Sequence, residues 1–510
     1  MVKLEDVAGI LLQKPSDEPP AQAALERLLS SYKPLDSFVL PKNRQYKQQY
    51  GDMYFLRLTM VRPAVEQVAS AAFGDVIIGG EPAQKVERVL DVRQGELCWV
   101  TGTVYMDMPL KPNILEDVAK DRWISAPPTA QKYISEDGQD SIMLEDDSGR
   151  VRLVGDVLEG AILVTGCIIA VMGTENADGD FEVIDVRYPD LAPQPDRWAL
   201  SNPPTANGKS KATKKEASED IDMEGSSAPR GSQGKIAIVS GLNFSGTDTS
   251  YALELNLLLE YLLGEVLDPA AQGELSHISR LIIAGNSIAP EDASKSISTE
   301  GEDKKAHRKY GYDSSAYNPV PSQLLDSFLS ELLPSMPITI MPGQHDPANA
   351  SLPQQPVHPA MYDKSRAFIA APGGADPGWL DSVTNPWEGE VDGWRFLGAS
   401  GQNVDDVFKY VSSDDRLGMM ELMCRWRCTA PTAPDTLWSY PFQDNDPFIM
   451  NQCPHLYFVG SQPEFGTKTI TGPEGQSVRL VTVPTFSKSR EIVLVDTETL
   501  DITLVKISAS

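Results

Sequence analysis

The sequence predicts two fold classes in one chain: an all-β unit of five strands closed into a small barrel, then a layered α/β unit on a mixed sheet, with a helical segment in front. Three observations carry this reading. Short β-type runs separated by tight turns fill residues 86–191, a stretch almost without large apolar residues covers 192–233, and strands alternate with helical patterns from 234 to the end. At 510 residues the chain is too long for one hydrophobic core, and its 41% apolar content can build several.

Residues 1–85 begin as a polar, Pro-bearing leader. From Phe38 to Pro63, which includes Tyr54-Phe-Leu-Arg-Leu58, aromatic and aliphatic residues recur near helical spacing, so a helix docked on the body is expected. The β-type runs of the barrel follow: Leu97–Tyr105, Ser141–Glu145, Val151–Val154, Ala161–Val171 and Phe181–Val186. Asp146-Asp-Ser-Gly149 and Asn176-Ala-Asp-Gly179 are tight turns between runs. The long excursion from Met106 to Tyr133 suits an oligonucleotide-binding-type (OB-type) barrel.

Residues 192–233 read as a flexible linker, because they cannot bury enough surface to offset ordering entropy. Its Lys209-Ser-Lys-Ala-Thr-Lys-Lys215 cluster is either a nuclear import signal or solvated linker charge. A second polar stretch, at about 291–315, reads as a loop inserted in the domain at 234–510. That domain opens with a strand at Lys235–Ser240, a helix at Tyr251–Leu263 and a strand at Arg280–Ala284. A helix with an apolar stripe (Leu324, Leu325, Phe328, Leu329, Leu332, Leu333) and a strand at Pro337–Met341 come next. Later strands are expected at Trp394–Leu397, His455–Val459, Val478–Val483, Ile492–Val495 and Ile502–Val505.

Composition excludes several functions. A net charge of −28 opposes a phosphate backbone, whose binding rests on Lys and Arg displacing counterions, so weak or no direct DNA contact is expected. Solubility or basic protein partners account for the acidity. Five scattered cysteines fit a reducing compartment, and Cys424-Arg-Trp-Arg-Cys428 lacks the second pair that a zinc site needs. No apolar run reaches the roughly 20 residues of a membrane span, and Met1-Val-Lys-Leu-Glu-Asp6 lacks the core of a secretory signal.

In a layered α/β fold chemistry gathers in loops after strand C-termini. Here those loops are Ser240–Gly246, Gly285–Ile288, Pro342–Pro347 and Gly460–Pro463. Their order resembles the calcineurin-like metallophosphoesterases, whose loops read Asp-x-His, Gly-Asp, Gly-Asn-His-Asp/Glu and Gly-His-x-His. The resemblance implies a layered α/β/β/α domain. It also implies a two-metal site in which a bridging carboxylate holds the ions. Position by position, Gly241 stands for the first Asp, Asn243 for the first His, Asn286 for the bridging Asp and Gln344 for the metal-binding Asn. Ser461 and Pro463 stand for the two final histidines, and only His345 and Asp346 persist. Glycine and proline offer no ligand, and a neutral amide bridges cations poorly. No metal, no cofactor and no catalytic residue is therefore expected.

Other chemistries fare no better. Gly398-Ala-Ser-Gly-Gln402 mimics a nucleophile elbow but ends in Gln402 rather than Gly. No P-loop or dinucleotide fingerprint occurs. His358 and His455 read as packing positions. Two alternatives stay open: a metal-dependent phosphodiesterase or exonuclease rearranged around His345 and Asp346, and a single-stranded DNA binder using Trp99, Tyr105, Trp123 and Phe181 of the barrel.

Whole phrases are similar to the small (B-type, second) subunits of eukaryotic DNA polymerase delta. They include Phe38–Lys42, Tyr54–Leu58, Met341–Pro347, Leu352–Pro359, Leu397–Asn403, Asp435-Thr-Leu437, Asp446-Pro-Phe448 and Cys453–Gly460. The resemblance implies a nuclear scaffold in DNA replication and repair, made of an OB-type barrel and an inactive phosphoesterase domain. It would hold the cysteine-rich C-terminal domain of the polymerase delta catalytic subunit and the third subunit, and by extension support polymerase zeta in translesion synthesis. His345 departs from the aromatic that delta-type subunits often carry. Tyr440, Phe442 and Phe448 are the expected partner anchors, if they do not pack internally.

Overall fold

The computed structural model describes residues 25–44, 49–112, 132–135, 138–203, 234–265, 269–290, 318–369 and 378–508. The leader to residue 24, the Lys209–Lys215 cluster, the polar loop at 291–315, Trp123 and most of the Met106–Tyr133 excursion lie outside the described residues.

The chain opens with a strand that the sequence pattern does not announce, β1 (Tyr32–Leu35), followed by helix α1 (Tyr50–Phe73). Pro63 is expected to stand near the end of this helix, since it has no N–H to give the preceding turn. The helix instead continues ten residues further, because Met53, Arg57, Val61, Val65, Ala69 and Phe73, each four residues from the last, form one buried stripe. Phe38 lies before the helix, buried against Phe448 at 6.2 Å between ring centroids.

Five strands follow: β2 (Cys98–Asp107), β3 (Ser141–Glu145), β4 (Arg150–Val154), β5 (Ile168–Glu175) and β6 (Phe181–Arg187). β2 pairs with β3, β3 with β4, β4 with β6, β6 with β5, and β5 returns to β2, so the hydrogen bonding runs round a ring. The Asp146 carboxylate accepts from the Ser148 N–H in the β3–β4 turn, and the Asn176 side chain caps the β5–β6 turn from within. The expected run at Ala161–Val171 is a strand only from Ile168. Before it the chain turns across β2, with Gly166 N–H donating to the Val104 carbonyl.

The remainder supplies β7 (Lys235–Val239), α2 (Ala252–Leu263), α3 (Pro269–Leu275), β8 (Ile278–Ala284), α4 (Val320–Leu332), β9 (Ile338–Met341) and β10 (Leu380–Ser382). Then come β11 (Trp387–Val391), β12 (Trp394–Ala399), α5 (Gln402–Tyr410), α6 (Arg416–Arg425), β13 (Leu456–Gln462), β14 (Gly466–Thr471) and β15 (Ser477–Pro484), closing with β16 (Glu491–Asp496) and β17 (Ile502–Lys506). One sheet runs β10-β9-β8-β7-β16-β17 and the other β1-β11-β12-β13-β15-β14.

Alternation along each strand sends neighbours to opposite faces. On β7, Ile236 and Ile238 meet Trp387, Phe396 and Phe458 of the other sheet, while Ala237 and Val239 pack under Leu258 of α2 and Phe328 and Leu329 of α4. On β13, Leu456 and Phe458 face the first sheet. Tyr457 and Val459 face outward into a core shared with α5, α6, α1 and the strand ring. Leu324, expected in the α4 stripe, is exposed, because it falls off the face that carries Leu325, Phe328, Leu329 and Leu332.

Residues 192–203, expected to begin a free linker, pack on the domain. Gln194 Nε2 donates to the Pro454 and Ser477 carbonyls, and the Arg197 guanidinium lies 4.4 Å from the Trp394 ring centroid.

Candidate functional site

The four loops singled out in the sequence converge at the C-terminal ends of β7, β8, β9 and β13. Gly241 and Asn243 follow β7, Asn286 follows β8, Gln344, His345 and Asp346 follow β9, and Ser461 lies in β13. Close approach there is enforced by glycine. A Cβ on Gly460 would stand 2.3 Å from the Ala284 carbonyl oxygen and 2.4 Å from Ser240 Oγ, and one on Gly343 would stand 2.2 Å from the Asn286 nitrogen.

Backbone strain collects at the same point. Asn243, Asn286 and Ser461 all adopt left-handed conformations, with φ of +49°, +52° and +55°. Non-glycine residues in this region cost free energy and cluster at functional sites.

The side chains are spent on one another. Asn286 Nδ2 donates to Ser461 Oγ at 2.8 Å, Ser461 N–H donates to Ser240 Oγ at 2.9 Å, and Asn286 Oδ1 accepts from the His345 backbone N–H at 3.2 Å. Asn243 Nδ2 reaches Ser487 Oγ at 2.7 Å. Asp346 is buried, and its carboxylate accepts from the backbone N–H groups of Gly343, Ile288 and Ser287 at 2.7, 2.9 and 3.2 Å. Burial pushes its pKa up to about 6, against those backbone hydrogen bonds, which hold it down. Asp346 thus ties the β8 and β9 loops together. Gln344, His345 and Pro463 are exposed, and partial burial of the His345 ring lowers its pKa.

Behind the loops stands a polar network that sequence reasoning missed. Asn385 Nδ2 donates to Gln354 Oε1, Ser400 Oγ and Gln402 Oε1, and Gln354 Nε2 donates to the Gly343 carbonyl at 3.1 Å. Ser400, the serine of the elbow-like phrase, is buried within this network rather than presented as a nucleophile. The one signal of it in the sequence is the run of amides inside Leu352–Pro359 and Leu397–Asn403.

Other expectations are corrected by burial. Phe448 is 0% and Tyr440 7% exposed, and the half-buried Phe442 packs edge-on against both at 5.7 and 5.1 Å, so Tyr440 and Phe448 fill an interior instead of offering free anchors. Trp99 and Phe181 lie in the core and present no face to a base. His358 is a surface residue, not a packing one, and its Nδ1 accepts from the Ala360 N–H. His455 is buried, with Nδ1 accepting from the Arg395 N–H at 3.0 Å.

Two families of known proteins match separate parts of this chain. The family of the DNA polymerase alpha/epsilon B subunits matches residues 236–467, and the DNA polymerase delta subunit OB-fold domain matches residues 49–186. The DNA polymerase delta small subunit of Saccharomyces cerevisiae is 34% identical over 492 residues, covering 91% of this chain and 91% of the yeast protein. This chain belongs to the DNA polymerase delta small subunit family. The Arabidopsis thaliana small subunit is likewise 34% identical, over 93% of this chain and 95% of the plant protein. Drosophila melanogaster DNA polymerase delta subunit 2 is 31% identical, over 94% and 98%. As a DNA polymerase delta small subunit the chain is an accessory subunit of that polymerase. Among the described residues no helix is long and apolar enough to cross a membrane.

Proposed function

We propose that this small subunit is a non-catalytic scaffold. In this reading it holds the catalytic subunit of DNA polymerase delta through that subunit's cysteine-rich C-terminal domain, together with the third subunit, in the nucleus during replication and repair. The same surface would serve the polymerase zeta catalytic subunit. The reading divides the chain into an N-terminal segment (1–85), an OB-type barrel (86–191), a linker (192–233) and a layered α/β/β/α phosphoesterase-like domain without activity (234–510). The ring of five strands and the two facing sheets with helices outside them support that division.

The observation that carries it is the bonding of the four loops. Where a two-metal site needs carboxylates and imidazoles turned to a shared centre, Asn243, Asn286 and Ser461 bond to neighbouring side chains and Asp346 bonds to backbone. Strained loops from which the ligands have gone are what an active ancestor would leave behind.

Two measurements test it. Purified chain with manganese should hydrolyse a generic phosphodiester no faster than a metal-free control. Co-expression with the polymerase delta catalytic subunit should give a complex that survives gel filtration. Manganese-dependent turnover that tracks the protein peak, or repeated failure to form the complex, would refute the proposal.

A further inference from the structure

We propose that the pocket between α1, β2 and the loop at 431–435 receives an apolar or aromatic side chain from a basic segment of a partner polypeptide, an inference that rests on the accessory-subunit reading. The cavity is about 290 Å³. That is at the small end of ligand sites, which run from about 300 to 1,000 Å³, and suits one side chain better than a cofactor.

Its walls are apolar: Tyr54 from α1, Val104 and Tyr105 from β2, and Pro431 and Pro434 from the loop. These parts, with Glu145 of β3 and the turn at Thr165-Gly166, belong to separate regions of the chain, so the concavity exists only in the assembled fold. Arg57 lines the same cavity, is almost fully buried, and its Nη2 has no hydrogen-bond partner among the described residues. The surroundings are apolar for a surface. Tyr50 lines the mouth and is half exposed, and Trp438, beside the Ser439 whose carbonyl takes the Tyr50 hydroxyl, is 58% exposed. Such aromatic edges mark places where another chain settles.

Charge selects the occupant. Among the described residues Lys111 and Arg150 lie over the Tyr105 ring and are already paired with Asp435 and Glu145. The exposed carboxylates of Asp107, on the Tyr105 face of β2, and of Asp52, next to Gly51 and accepting from Gln443 Nε2, flank the lining residues in sequence and form no ion pair among the described residues. Among the described residues the charge flanking the pocket is therefore net negative, which attracts a segment rich in Lys or Arg and repels an acidic one.

Gly51 gives a clean test. It lines the pocket, and a Cβ there meets nothing within 4 Å, so Gly51→Phe can obstruct the mouth without forcing a clash and replaces a poor helix former. Full-length wild-type chain, Gly51→Phe and the double variant Asp52→Asn/Asp107→Asn would be titrated against the separately purified catalytic and third subunits of DNA polymerase delta, with thermal melting of each variant alone. The expected result is at least a tenfold loss of affinity for one of the two subunits in Gly51→Phe. The double variant should lose several-fold for the same subunit, more at low salt, with wild-type melting and unchanged affinity for the other subunit. Wild-type affinity of a folded Gly51→Phe for both subunits would overturn the pocket's role. An indifferent double variant would overturn the basic character of its occupant. Wild-type chain that binds neither subunit would instead refute the proposed scaffold function.

Discussion

Arg57 and Asp446, 389 residues apart in sequence, form an ion pair from which solvent is almost wholly excluded. Arg57 Nη1 also donates to the Ala433 and Pro431 carbonyls, and the guanidinium lies 5.8 Å from the Phe448 ring centroid. One side chain of α1 thus fixes the 431–433 and 446–448 loops of the C-terminal domain against the helix that also backs the strand ring. Both residues stand in phrases that carry the family resemblance, Tyr54–Leu58 and Asp446–Phe448. Their meeting shows what those phrases do: they join the two halves of the molecule.

Removing one partner of a buried pair leaves the other uncompensated, at a cost of about 3–5 kcal/mol. Arg57→Met should lower unfolding stability by that order in urea titration. Arg57→Met with Asp446→Leu should be less destabilised than the sum of the single changes, because neither charge is then left alone.

In the proposed reading Gly241 takes the place of a phosphoesterase's first aspartate, and its surroundings leave no room for a side chain. With φ of +64° and a Cβ that would come within 2.6 Å of Thr485 Cγ2 and 3.1 Å of its Cα, Gly241→Asp is strained in two ways. Backbone strain alone costs about 1–3 kcal/mol. The substitution should lower the melting temperature and confer no manganese-dependent hydrolysis. Thr485→Gly added to it should recover part of the loss, which differential scanning calorimetry would measure.

Many of the strands are legible in the sequence because alternation survives burial, as in Ile236-Ala-Ile-Val239, and the four loops because each follows such a strand. The misses have physical causes. β1, Tyr32-Lys-Pro-Leu35, and β14, Gly466-Thr-Lys-Thr-Ile-Thr471, are edge strands, the first short and mostly half-buried and the second largely solvated, so neither carries much periodic signal. The network of Gln354, Asn385, Ser400 and Gln402 joins residues far apart in sequence, and single amides give no sign that they will be buried together. Tyr440, Phe442 and Phe448 read as partner anchors because aromatics serve interfaces and cores alike. Only the packing of Phe448 against Phe38 and Phe442 separates the two uses.

His455 should make stability fall in mild acid. Burial, the leading cause, lowers its pKa below the usual imidazole value of 6.5, and its Nδ1 must stay unprotonated to accept from Arg395 N–H. The unfolded chain then binds more protons than the folded one just below that value. The contribution is complete above pH 6.5 and is lost as pH falls through the folded pKa. Asp346, raised to about 6, acts with the opposite sign, its folded form favoured as pH falls toward 4. The His455 share is therefore read as a difference. His455→Asn, whose side-chain oxygen can accept the same hydrogen bond without titrating, should show a flatter stability profile between pH 5 and 7 than wild type.

The strand ring should not bind single-stranded DNA on its own account. Such binding joins a cationic groove to stacking aromatics. Among the described residues four of its cations are already occupied: Lys85 pairs with Glu66 and Glu87, Arg150 with Glu145, Arg152 with Asp180 and Arg187 with Asp185. A phosphate must displace those carboxylates before it gains any counterion release, and the net charge of −28 repels it meanwhile. Full-length chain titrated with a fluorescent oligothymidine at physiological salt should bind more weakly than about 10⁻⁴ M, the weak end of nonspecific association. Arg150→Ala should leave that weak binding unchanged, whereas a phosphate-contacting arginine would lower both the affinity and the slope of log K against log salt. Micromolar binding with a steep salt slope would mean that those carboxylates give way to phosphate, and the paired-cation account would be wrong.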